Sequence, residues 1–109
     1  MKSMMKELSS LEEFEELYQK EGVVIFVFSA DWCPDCTYIK PFLPKLIDKY
    51  NNYDFIYVDR DKFMDIAQGL YVMGIPSFIA VKDGKEVSRF VSKMRKTEAE
   101  IDDFLRGVA

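Results

Sequence analysis

Apolar residues recur at helical spacing near the start of the chain, where Leu8, Leu11, Phe14, Leu17 and Tyr18 fall on one side. Ser10 and Glu13 have the spacing of a capping box, which sets the predicted start of this helix near Ser10. Gly22 is its predicted stop, and the acidic run Glu12, Glu13, Glu15, Glu16 reads as a solvated face near the positive helix end. From Val23 to Phe28 the pattern becomes an unbroken apolar run, rich in β-branched and aromatic residues. Such a run predicts a strand covered on both faces, hence central to its sheet.

The pattern then returns to helical spacing from Cys36 to Tyr50, with Ile39, Phe42, Leu43, Leu46, Ile47 and Tyr50 on one side. Pro41 and Pro44 fall inside this segment and are expected to bend it. Phe55 to Val58 predicts a second strand, and Asp61 to Leu70 a shorter third helix. Ser77 to Val81 and Val87 to Val91, joined through Asp83-Gly84, predict a hairpin. Thr97 and Glu100 form another capping box, ahead of a helix that buries Ile101, Phe104, Leu105 and Val108.

The resulting order, α-β-α-β-α-β-β-α, is an α/β arrangement. Strands at 23–28 and 54–58 with the helix between them make a right-handed parallel βαβ unit. The last two strands add an antiparallel ribbon. The expected core is a mixed sheet of about four strands, or five with a short N-terminal one, flanked by four helices.

The length, 109 residues, suits a single domain over 1–109. A net charge of −4 gives no field that favours nucleic acid or an anionic membrane. The absence of histidine removes the commonest general base and the commonest zinc ligand together. Met1 to Ser10 has no continuous apolar stretch, so no signal peptide or membrane span is expected there. A cytoplasmic monomer is the default expectation.

Chemistry concentrates in Trp32-Cys33-Pro34-Asp35-Cys36, where the central strand gives way to a helix. Residues three apart share a helix face, which brings two Cα atoms within the roughly 4.4–6.8 Å a disulfide requires. Cys33 falls at the helix start, where free N–H groups and the dipole favour a thiolate. Pro34 suits the first turn because its missing N–H has no partner there anyway. Trp32 makes an apolar shoulder beside the sulfur. Asp35 is either a favourable first-turn charge or an electrostatic partner of the sulfurs, able to accept the Cys36 proton. An inert pair or half a zinc site is the competing reading, but no further Cys or His exists to complete four ligands. In a reducing compartment a lone pair is more often catalytic than structural. Asp59 and Asp61 read as a strand end followed by a helix cap, not as metal ligands. Lys93, Arg95 and Lys96 read as a soluble basic loop, with attraction of anionic substrates as the alternative.

From about Gly22 onward the chain resembles the thioredoxins. The resemblance rests on Ala30-Asp31-Trp32-Cys33, on Pro41 five residues after the second cysteine, on Val58-Asp59, and on Gly74-Ile75-Pro76-Ser77. It implies a thioredoxin fold and a cis Ile75–Pro76 bond facing the cysteines. Ile75, Pro76 and Ser92 then contribute to the substrate-binding wall. The Trp-Cys-Pro-Asp-Cys spelling looks like that of thioredoxin-related proteins that favour small disulfides. The departures lie behind the cysteines. The family's buried aspartate is Val27 here, its lysine falls near Tyr57, and its tryptophan before the motif is Ser29. Ser92 stands where the family places a glycine, and Pro34-Asp35 replaces Gly-Pro. A dry, apolar space behind Cys36 is therefore expected.

The expected function is thiol–disulfide oxidoreduction, with Cys33 attacking and Cys36 resolving. Protein or small-molecule disulfides are the expected substrates, and electrons come from a reductase or a low-molecular-weight thiol. No cofactor and no metal are expected. A binding module on the same fold, or a disulfide donor with opposite poise, are the alternatives.

Overall fold

The computed structural model describes residues 4–109. Strands β1 (Lys6–Glu7), β2 (Val23–Ser29), β3 (Asp54–Asp59), β4 (Ser77–Lys82) and β5 (Lys85–Phe90) form one sheet in the order β1-β3-β2-β4-β5. The sheet is mixed: β2 pairs parallel with β3 and antiparallel with β4, and β4 pairs antiparallel with β5. The N-terminal strand is β1, two residues paired parallel to β3.

Every residue of β2 is buried, as its unbroken apolar run requires. Strand alternation divides that run between two cores. Val23, Ile25 and Val27 face Ile39, Leu43, Leu46, Ile101 and Leu105, whereas Val24, Phe26 and Phe28 face Phe14, Ile66 and Val72. The central strand is therefore clamped from both sides, and its C-terminal end becomes a fixed platform for whatever follows it.

Helices α1 (Leu11–Tyr18), α2 (Pro34–Ile39), α3 (Leu43–Lys49), α4 (Met64–Gly69) and α5 (Glu98–Arg106) cover the sheet. The described residues thus carry five helices where four are expected, because the predicted helix from Cys36 to Tyr50 is divided. Pro41 has no N–H to donate, and its ring opposes the carbonyl four residues earlier. The chain tightens instead, with Lys40 N–H bonded to the Thr37 carbonyl at 3.2 Å and Phe42 N–H to Ile39 at 3.3 Å. Pro44 then falls in the first turn of α3, where no N–H is needed. The two prolines break the segment and do not merely bend it.

Smaller differences have equally local causes. Helix α1 ends at Tyr18, and Gly22 belongs to the bend into β2, with φ of 91° and its N–H on Asp83 Oδ1 at 2.8 Å. Leu8 is buried ahead of α1, while Leu11 is exposed. Asp83 and Gly84 both have positive φ, so the hairpin closes in two residues and β5 begins at Lys85 rather than Val87. Both predicted caps form: Ser10 Oγ accepts the Glu13 N–H, and Thr97 and Glu100 complete a reciprocal box. No helix among the described residues is long and apolar enough to cross a membrane.

Polar contacts fasten α5 to α3. Asp102 accepts from Tyr50 Oη at 2.7 Å, Lys49 Nζ at 2.9 Å and Arg106 Nη2 at 2.7 Å. The tyrosine hydroxyl, then the lysine, hold its carboxyl at about 2. A carboxylate lowered in the folded state contributes stability that is complete above its unfolded value and is lost as pH falls through the folded one. The window therefore runs from 3.8 down to about 2. Asp102→Asn is expected to lower the melting midpoint at neutral pH by roughly 2–4 °C and to flatten its decline across that window. Thermal scans at several pH values check this; an acid limb identical in both proteins would assign it to other groups.

Candidate active site

Strand β2 ends at Ser29, and the chain turns through Ala30, Asp31 and Trp32 into α2. Cys33 is the N-cap residue of α2, and Pro34 occupies its first turn. This geometry points both sulfurs into one place. Cys33 Sγ accepts the backbone N–H of Cys36 at 3.2 Å, and its thiol donates to the Ile75 carbonyl at 3.7 Å. Both cysteines are free thiols, 4% and 1% exposed. The Ile75–Pro76 peptide is cis, and Ile75 packs against Ala30, Cys33 and Cys36. Cys33, Pro34, Cys36, Ile75 and Pro76 are thus one cluster at the C-terminal end of the central strand, where open α/β sheets commonly place sites.

Trp32 stands beside this cluster, 61% exposed. Its indole N–H donates to Asp61 Oδ2 at 2.6 Å, and the Arg60 guanidinium lies 5.4 Å from its ring centre. That indole bond, more than the neighbouring arginine, holds the Asp61 carboxyl below the usual range. Asp59 acts as the strand-end cap, accepting N–H bonds from Asp61 and Lys62. Asp61 is therefore a tether for Trp32, a role its sequence position does not announce.

Asp35 is half-buried and accepts from Arg95 Nε at 2.8 Å. The Arg95 guanidinium also covers the Tyr38 ring at 4.5 Å. The basic loop is consequently not a uniform patch. Lys93 is exposed, Arg95 is paired, and Lys96 is buried.

Ser92 borders the cluster through its backbone. A Cβ placed on Gly74 would lie 2.8 Å from the Ser92 carbonyl carbon and 2.9 Å from Lys93 Cα, with the carbonyl oxygen nearer still. Gly74 is thus the residue that lets the 92–96 loop approach the Ile75–Pro76 segment. The Gly74 carbonyl accepts a short hydrogen bond from Ser77 Oγ, which fixes the other side of that segment.

Behind Cys36 the space is not wholly apolar. Val27 is fully buried among apolar neighbours, as expected. Ser29, two residues along the same strand face, is buried, and its hydroxyl favours the ionised forms of both Cys36 and Tyr57. Tyr57 lies beside Val27 in the sheet register. Two hydroxyls therefore stand where a dry space is expected from Val27 alone. Burial pushes the Cys36 thiol up to about 12 and the adjacent Cys33 sulfur adds to this, while Ser29 and the Ala30 backbone favour the thiolate. Burial likewise raises Tyr57 to about 12. Burial therefore keeps Cys36 as the neutral thiol.

A protonated inner thiol next to a second sulfur on a groove is an arrangement for disulfide exchange. The thioredoxin family model matches residues 5–106. The chain belongs to the thioredoxin family. Thioredoxin from Oryctolagus cuniculus is 39% identical over 105 residues, which covers 94% of this chain and 100% of the relative. Thioredoxin H2 from Arabidopsis thaliana is 36% identical over 87 residues, 80% of this chain and 65% of that protein's length. The crystal structure of oxidised mitochondrial thioredoxin 3 from Saccharomyces cerevisiae superposes with a TM-score of 0.83 at 27% identity, covering 95% of each chain. Thioredoxins are disulfide oxidoreductases, and this thioredoxin-family chain is a thiol–disulfide oxidoreductase.

Proposed function

We propose that the chain reduces protein or small-molecule disulfides, with Cys33 as the attacking thiol and Cys36 as the resolving one. The observation that carries the assignment is the asymmetry of the pair. Cys36 is buried and held protonated behind Cys33, whereas Cys33 faces the Ile75 carbonyl at the groove. The Cys33 thiolate attacks a substrate disulfide, forming a mixed disulfide and expelling one substrate thiolate, which takes a proton. Cys36 then gives up its proton and attacks the Cys33 sulfur. The second substrate thiol leaves, two electrons have passed to the substrate, and Cys33–Cys36 remains as a disulfide. A reductase or a low-molecular-weight thiol restores the dithiol.

Three segments border the pair, and each offers an exposed apolar side chain: Trp32, Met73 and Met94. An extended substrate strand laid along Ile75 has apolar contacts on either side. The same groove accommodates a small disulfide, in keeping with the Trp-Cys-Pro-Asp-Cys spelling. The pair's isolation in a chain with only two cysteines supports a reducing compartment, the cytoplasm, and action as a monomer.

Equilibration against glutathione buffers tests the direction of transfer. A reductase is expected to have a potential below about −220 mV, near the thioredoxin range of about −270 mV. A value near −120 mV, that of a strong oxidant, would instead make the chain a disulfide donor.

A further inference from the structure

Lys96 is 1% exposed, the one lysine or arginine among the described residues buried to this degree. Its Nζ donates to the carbonyls of Ser92 at 3.1 Å and Met94 at 3.2 Å, and lies 5.2 Å from the Phe90 ring centre. Lysine is strongly hydrated, so burying its head group on a surface loop carries a desolvation penalty that two neutral carbonyls only partly offset. Something further must favour the charge.

The loop that holds it is bound to the redox site on two sides. The Ser92 carbonyl that accepts from Lys96 is the group lying against Gly74, next to the Ile75 whose carbonyl meets Cys33. On the other side, Arg95 binds Asp35, the residue between Pro34 and Cys36. We propose that Lys96 is a positioning residue of the redox site: its buried ammonium, clamped beneath the 92–96 loop, supplies the positive charge that stabilises the Cys33 thiolate. The assignment rests on the reading of Cys33 as the attacking thiol.

The surrounding charges agree in sign. Burial pulls the Lys96 ammonium down, and the charges that work against it are those of Asp35, then Cys36, Glu100 and Cys33. Glu100 is committed to the Thr97 cap and Asp35 to Arg95. Among the described residues neither sulfur has such a fixed cationic partner, and a buried charge acts on them through a medium that screens little. Val27 and Tyr57, partners in the sheet register, are themselves uncharged, Tyr57 being held as the phenol by burial.

The test is the pH profile of Cys33 alkylation in a Cys36→Ser background, which reports the thiolate without turnover. Adding Lys96→Met keeps the apolar stem and removes the charge. Its midpoint is expected to rise by about one unit, a tenfold loss of thiolate at fixed pH below it. Lys96→Arg, which keeps a cation, is expected to recover most of that shift. Lys93→Met, which removes an exposed charge from the same loop, is expected to move the midpoint far less. An unchanged midpoint in Lys96→Met overturns the proposal, as does an equal shift in the Lys93 variant or in Lys96→Arg. Should Lys96→Met not fold, the coupling is read in the intact protein, because it is reciprocal. The Lys96 ammonium, followed by NMR, must titrate at higher pH in the dithiol than in the disulfide form; equal midpoints overturn the proposal. Failure of the nucleophile assignment is separately visible, as adduct trapping by the wrong cysteine.

Discussion

Cys36→Ser is expected to stall turnover at the mixed disulfide, and Cys33→Ser to abolish it before any adduct forms. Both changes lower steady-state reduction of a disulfide substrate by at least about a thousandfold. The difference lies in what accumulates. With Cys36 replaced, Cys33 still meets the Ile75 carbonyl and still forms the first covalent bond, but no second thiol is available to expel it. With Cys33 replaced, the remaining thiol is 1% exposed, is pushed up to about 12, and stands behind the position from which attack is made. Non-reducing gels and intact mass should show adducts for Cys36→Ser alone. Equal trapping by the two variants would sink the assignment of roles.

The second large effect is structural. Gly74→Ala is expected to destabilise the protein by about 3 kcal/mol and to weaken substrate binding with it. The added methyl meets backbone, namely the Ser92 carbonyl and Lys93 Cα, and not the tip of a flexible side chain. Relief requires the 92–96 loop to withdraw from the Ile75–Pro76 segment. That movement carries the Ser92 carbonyl, the Lys96 ammonium and the Arg95–Asp35 pair away from the cysteines. Urea unfolding reads the stability term, and the KM for a disulfide substrate reads the groove. An unaltered midpoint and an unaltered KM would show the loop yields freely and does not define the wall.

The features legible in the sequence are those set by local chemistry or strict periodicity. The run from Val23 to Phe28 can only be a strand buried on two faces, and that places the motif at the end of a central strand. Asp83-Gly84 and Thr97 with Glu100 announce a turn and a cap by their own hydrogen-bonding geometry. Other features depend on partners far along the chain. Asp35 and Arg95 are 60 residues apart, and Trp32 and Asp61 are 29 apart. Strand β1 is held by backbone pairing with two exposed side chains, so it leaves no apolar pattern to read. Lys96 left a faint trace. It occupies the residue before the Thr97 cap, a position that is often apolar and packs on the helix it precedes. A lysine there can fill an apolar slot with its stem, and at Lys96 the ammonium is buried as well.

The sheet order also determines how the molecule meets copies of itself. Its two outer strands are β1 and β5. An exposed edge is a template for adding a further strand, and long flat apolar edges invite fibrous aggregation. Strand β1 is two residues long, too short to template anything. Strand β5 carries Lys85, Glu86 and Arg89, with Arg89 bridging Glu86 and the Leu70 carbonyl across the edge. A register irregularity at Ala80 and Val81 further twists the ribbon it belongs to. Neither edge therefore offers a long, flat run of free backbone to a second chain.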